Sequence, residues 1–225
     1  MLNKEFQMLK QVVVFGHKVS ENVIGRMIEE NLPVEVIKVM SSKDDDYLGN
    51  TESEIREQTE LMLRPFIGKV NVIILCEPEI AFSAQAFLSK KYPCQKFVGY
   101  GQNLPNLLKN KQTARVLLSK SVKKMTRYQE IKSEFADMEI SEREFSLKER
   151  QHVRSRDLIG YATRDFSGGL IIIYTPDLIR MKSLIEKKFT WRADVVDMRP
   201  SLLRETCLAL NLRGIDGKLT RDIKG

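Results

Sequence analysis

Cys76 stands immediately after Val70-Asn71-Val72-Ile73-Ile74-Leu75, a short and nearly continuous apolar run of the kind that a parallel sheet buries on both faces. Open α/β sheets place their ligands beyond the carboxyl ends of such strands. A thiol in that position, as the thiolate, suits nucleophilic attack or removal of a proton from carbon. A second run of the same type, Leu170-Ile171-Ile172-Ile173, ends in Tyr174-Thr175-Pro176-Asp177 and brings no matching thiol. The hydroxyls of Tyr174 and Thr175 ionise far above a thiol, so neither replaces it as a base at neutral pH. Other residues could face a ligand beside Cys76. Gly16 and His17 end the first apolar run, Tyr47, Gly49 and Asn50 lie in a polar loop, Glu77 follows the thiol, and Ser119 closes a later strand.

The elements that must hold these residues read as a repeated strand-helix alternation. Strands are expected at 11–15, 34–40, 70–75 and 95–100, with helices at 20–31, 52–67 and 80–90 between them. Thr51 followed three residues later by Glu54 looks like a capping box that opens the second helix. The alternation restarts with strands at 114–118, 136–142, 170–173 and 193–197, and helices at 121–135, 145–161 and 177–188. The pattern predicts an α/β fold of two pseudo-symmetric lobes, with mainly parallel sheets flanked by helices and a cleft between the lobes. The first lobe is expected over 1–100 and the second over 101–200, with a helix in 201–225 packing back on the first.

Composition narrows the function classes. The 225 residues carry a net charge of +7, but the basic stretches at 109–111, 120–127 and 148–156 lack interleaved aromatics. They read as solvated helix faces, which argues against a nucleic-acid surface. No apolar run approaches the ~20 residues of a membrane span, and residues 1–10 lack the apolar core of a secretory signal. Three cysteines without metal-type spacing suit a reducing, cytoplasmic setting. Cys94 and Cys207 read as packing residues, and His17 and His152 as largely solvent-facing. Asp44-Asp45-Asp46 lacks the alternating spacing of a calcium loop, and Gly16 opens no dinucleotide fingerprint, so no metal or cofactor is expected.

In order and spacing the chain resembles the glutamate racemases of the aspartate/glutamate racemase superfamily. Tyr47-Leu48-Gly49-Asn50 and the helix after it resemble the family's proline-tyrosine-glycine-asparagine loop. The strand ending at Cys76 resembles the one that carries the first catalytic cysteine. Residues 116–128, Tyr174-Thr175-Pro176 and Val195-Val196-Asp197 resemble later family segments in the same order. The resemblance implies cofactor-independent racemisation by two opposed thiols, in cell-wall precursor supply.

Yet the family's asparagine-threonine after the first cysteine is here Glu77-Pro78, and its aspartate and serine after the first strand are missing. Tyr174 or Thr175 replaces the second cysteine, and Pro176 or Asp177 its histidine. The expectation is a degenerate member without two-cysteine racemisation, a pseudoenzyme that binds an anionic small molecule or a protein partner. The alternatives are a single-cysteine isomerase or decarboxylase, or a residual glutamate racemase. By resemblance alone, a homodimer and a contact with DNA gyrase also belong to the expectation.

Overall fold

The computed structural model describes residues 9–41, 47–151, 156–189 and 192–212. Asp44, Asp45, Asp46 and His152 lie outside these residues, as does most of the 201–225 segment beyond its helix. Among the described residues no helix is long and apolar enough to cross a membrane.

Two parallel four-stranded sheets carry the chain. The first contains β1 (Lys10–Gly16), β2 (Val34–Met40), β3 (Val72–Leu75) and β4 (Lys96–Gly99) in the order β2-β1-β3-β4. The second contains β5 (Thr113–Ser119), β6 (Glu139–Phe145), β7 (Gly169–Ile173) and β8 (Ala193–Asp197) in the order β6-β5-β7-β8. One topology is therefore used twice, as the restarting alternation predicts. The four residues of β3 are all fully buried, which is why their sequence shows no polar alternation.

Helices α1 (Lys18–Asn31), α2 (Glu52–Leu63), α3 (Pro78–Lys91) and α4 (Leu104–Leu108) belong to the first half of the chain. The second half contributes α5 (Thr126–Glu134), α6 (Leu147–Gln151), α7 (Arg156–Thr163), α8 (Lys182–Phe189) and α9 (Arg199–Ala209). The capping box at the start of α2 is present in full: Thr51 accepts from the Glu54 backbone and Glu54 accepts from the Thr51 backbone. Helix α9 packs on α1, β3 and β4, burying Leu202, Leu203 and Cys207.

One charged stretch departs from expectation. The helix expected over 145–161 is divided, because β6 runs to Phe145 and separate helices α6 and α7 follow. Charged side chains of the neighbouring strands serve the end of this stretch. Arg143 donates to the carbonyls of Tyr161 and Arg164. Arg115, from β5, donates to the Arg164 carbonyl and stacks over Phe166 at 4.8 Å. Two guanidinium groups thus satisfy carbonyls where α7 ends.

The main apolar core passes from one sheet to the other. Val12, Ile74, Leu75 and Phe97 share a single cluster with Ala114, Val116, Leu118, Leu170 and Tyr174. A second cluster lies under α7 and α8, around Ile171, Ile173 and Ile185.

Candidate functional site

Cys76 occupies the place its sequence implies, directly after β3 and beside the end of β1. Its backbone N–H donates to the Phe15 carbonyl at 3.0 Å, and its thiol donates to the same oxygen at 3.1 Å. The side chain is fully buried. Gly16 makes this possible, since a Cβ at that position would lie 2.2 Å from Sγ. Burial pushes the Cys76 thiol well above its ordinary pKa, and the neighbouring acidic groups Glu77 and Glu21 push it further. That is the reverse of what activates a catalytic cysteine.

Glu77 follows at the N-cap of α3, with Pro78 at the first helical position, where a missing N–H costs nothing. Its Oε1 accepts from the His17 backbone N–H at 3.0 Å. Burial first, and the Glu79 carboxylate second, push Glu77 up to about 8, against the opposing pull of Arg150 and Ser20. Glu77 is therefore mostly neutral at pH 7.

Glu79 reaches across to the second lobe. Its Oε1 accepts from the hydroxyls of both Ser119 and Ser121, which lie 3.0 Å from each other. The Ser119 backbone in turn donates to the Thr175 hydroxyl at 3.0 Å. Behind them Arg150 donates to Asp177 at 2.7 Å, in a pair whose side chains are 7% and 5% exposed. The seam thus holds the carboxyl groups of Glu77, Glu79 and Asp177 against one guanidinium. An anionic ligand would meet like charge here.

Tyr174 does not turn toward the thiol. Its ring lies in the apolar core beside Phe82 and Tyr128, and its hydroxyl donates to the Gly101 carbonyl at 2.8 Å. Burial drives its pKa well up. Tyr47 is packed near Cys76 and Glu77, with its hydroxyl beside Ser41. The space bounded by Phe15, Ser41, Tyr47 and Thr59 is about 10 Å³, enough for a single water. Gly49 is exposed, and Asn50 is half-buried with its N–H bonded to the Tyr47 carbonyl at 3.0 Å. Larger grooves, of about 620 and 320 Å³, lie at the opposite ends of β7 and β8 among Lys111, Leu170 and Asp194.

The structure thus brings together Cys76, Gly16, Glu77, Tyr47 and the His17 backbone on one side, and Ser119 and Thr175 on the other. Gly49, Asn50 and Tyr174 stand apart from this cluster. His17 is half-buried rather than solvent-facing, and Cys94 is exposed rather than packed. Glu79, Ser121 and Arg150 were not singled out from sequence. A Glu-Pro-Glu directly after a buried strand could have marked Glu79, whereas Arg150 is hidden within a run of charges. Among the described residues no group of histidine, cysteine and carboxylate side chains could hold a metal ion.

No protein-family description and no curated protein matches the chain. Solved structures do. Escherichia coli glutamate racemase, in complex with L-glutamate and the activator UDP-MurNAc-ala, superposes with a TM-score of 0.75 at 13% identity, covering 91% of this chain and 83% of that one. Picrophilus torridus aspartate racemase gives a TM-score of 0.62 at 12% identity, with 93% and 98% covered. A variant of arylmalonate decarboxylase gives 0.55 at 11% identity, with 91% and 94% covered. With two parallel four-stranded sheets of the same strand order, the chain has the fold shared by the aspartate and glutamate racemases and arylmalonate decarboxylase.

Proposed function

We propose that this chain is a racemase-fold protein without racemase turnover, in which the inter-lobe site has become a structural seam and the remaining role is to bind a protein partner. The observation that carries this reading is the state of Cys76. A base that takes a proton from carbon must be a thiolate within hydrogen-bond reach of the substrate. Here the thiol is buried, donates to a backbone carbonyl, and is held protonated by burial and neighbouring carboxylates. The opposite side supplies Ser119 and Thr175, already bonded to each other, and no second thiol.

The buried carboxylates also weigh against retention of an anionic small molecule at this seam, which leaves a partner on the outer surface as the better supported ligand. Exposed Met40 and Leu61 give that surface some apolar area. A cytoplasmic setting fits three cysteines without metal-type spacing.

A second reading keeps one working thiol, as stereospecific decarboxylation or isomerisation would need, and rests on the place of Cys76 at the end of β3. Proton NMR in D2O separates the two. L- and D-glutamate, L- and D-aspartate and an arylmalonate are each incubated with the protein. Retained α-proton signals and unchanged arylmalonate support the proposal. Turnover that disappears in Cys76→Ala while the fold is kept would establish the single-thiol enzyme instead.

A further inference from the structure

The two lobes are joined at the seam by an unusual set of contacts. Glu79 of α3 accepts from Ser119 and Ser121 of the second lobe. Two residues away, Glu77 is 4% exposed and Glu79 2% exposed, so neither carboxyl has water to support a charge. From these contacts we propose that the seam is a proton-dependent latch: it is closed while Glu77 retains its proton, and loosens when that proton is lost.

The groups facing Glu77 come from every element around it. Helix α1 presents Ser20, with Glu21 beside it acting on Cys76 and Lys18 in turn acting on Glu21, and the turn before it gives the His17 backbone N–H. Cys76 adjoins Glu77 from the end of β3, Glu79 from α3, and Tyr47 from the short helical turn after β2. From the second lobe come Arg150 of α6 and Asp177 of the turn after β7. Arg150 is the cation buried at this point, and it is already paired with Asp177 at 2.7 Å. If all three carboxyls were ionised, the dry seam would hold two charges more than its guanidinium balances. Retaining a proton on Glu77 lowers that imbalance and lets an O–H donate within the cluster.

The direction of the pH effect follows by linkage. A carboxyl that stays protonated in the closed seam, to about pH 8, and titrates near 4.5 once hydrated makes closure weaker as the pH rises. Between those values the closed-to-loosened ratio falls by up to about tenfold per pH unit, then levels off above them. The latch rests on the seam's geometry and not on the absence of turnover, so the isotope assay above does not decide it.

Hydrogen–deuterium exchange of the whole chain at pH 5.5, 6.5 and 7.5, corrected for intrinsic rates, tests it. Peptides spanning 72–84 and 117–125 should lose protection with each step in pH, while a remote peptide spanning 129–141 should not. In Glu77→Gln, which keeps an acceptor for the His17 N–H, the slope should vanish. Should that variant not fold, Glu79→Gln provides the check, because burial alone would then hold Glu77 up, and losing the added push of Glu79 should move the transition to lower pH. Protection that is flat with pH in the wild type would overturn the latch. So would an unchanged slope in the variants, or the same slope in the remote peptide, which would assign the proton to global stability.

Discussion

Replacing Gly16 by alanine should expose how tightly Cys76 is built into the fold. An added Cβ at position 16 would lie 2.2 Å from the Cys76 sulfur, well inside contact distance. Neither side can retreat easily, since Phe15 pairs with Leu75 in the ladder and Cys76 is tied to the Phe15 carbonyl by both its amide and its thiol. Gly16 is not among the residues with positive φ, so the penalty is steric rather than a matter of backbone conformation. Overpacking of this kind typically costs about 1–3 kcal/mol, and the rigid surroundings place Gly16→Ala at about 3 kcal/mol.

Cys76→Ala alone removes one sulfur from the core and should cost about 1–2 kcal/mol. In the double variant the clash has no second atom. Its cost should fall close to that of Cys76→Ala alone, giving a favourable coupling of about 3 kcal/mol, the whole cost of the clash. Urea unfolding of the four proteins, followed by circular dichroism, yields the cycle. Additive costs would mean that the thiol can swing away from Gly16 into open space, which would refute the packing argument.

Other consequences are simpler. Tyr174→Phe should cost about 1 kcal/mol, because the Gly101 carbonyl loses its buried donor, and should leave the fold intact by circular dichroism and thermal unfolding. Asp197 is held below the usual carboxylate range: burial alone would raise it, but the hydrogen bond and charge of Arg199, with Lys182, outweigh that. Its contribution to stability should therefore be present above the ordinary aspartate value of 3.8 and be lost as the pH falls below it. Asp197→Asn should destabilise by roughly 2 kcal/mol at pH 7 and flatten the acid limb of the urea midpoint against pH. Arg115→Met should destabilise by about 2–3 kcal/mol, because carbonyls at the end of α7 lose their donor, and exchange protection should drop first in peptides from residues 156–166.

The backbone plan was legible because burial writes itself into composition. Strands such as β3 and β7 are buried on both faces and show as apolar runs, and the start of α2 shows as a threonine and glutamate at capping distance. What sequence could not reveal is the use to which a charge is put. Arg150 looks like a member of a solvated run and Arg115 like a lone charge in an apolar strand, yet both are buried because partners distant in the chain, Asp177 and the end of α7, meet them. The position of Cys76 could be read from its strand, but its sealing depends on the adjacent strand ending in glycine at that level. Tyr174 sits where a second catalytic side chain was sought, but an aromatic ring at the end of a buried strand gains more from the core than from a polar seam.

Thiol labelling tests the central claim most directly, since it needs no guess at a substrate. The native protein at pH 7 is treated with an excess of a chromogenic disulfide, and the modified residues are identified by mass spectrometry. Exposed Cys94 should react at once, while buried Cys76 and Cys207 should react on the order of a hundredfold more slowly, as the structure opens. Reaction of Cys76 as fast as that of Cys94 would contradict the account, for it would show a thiol open to solvent and available for chemistry.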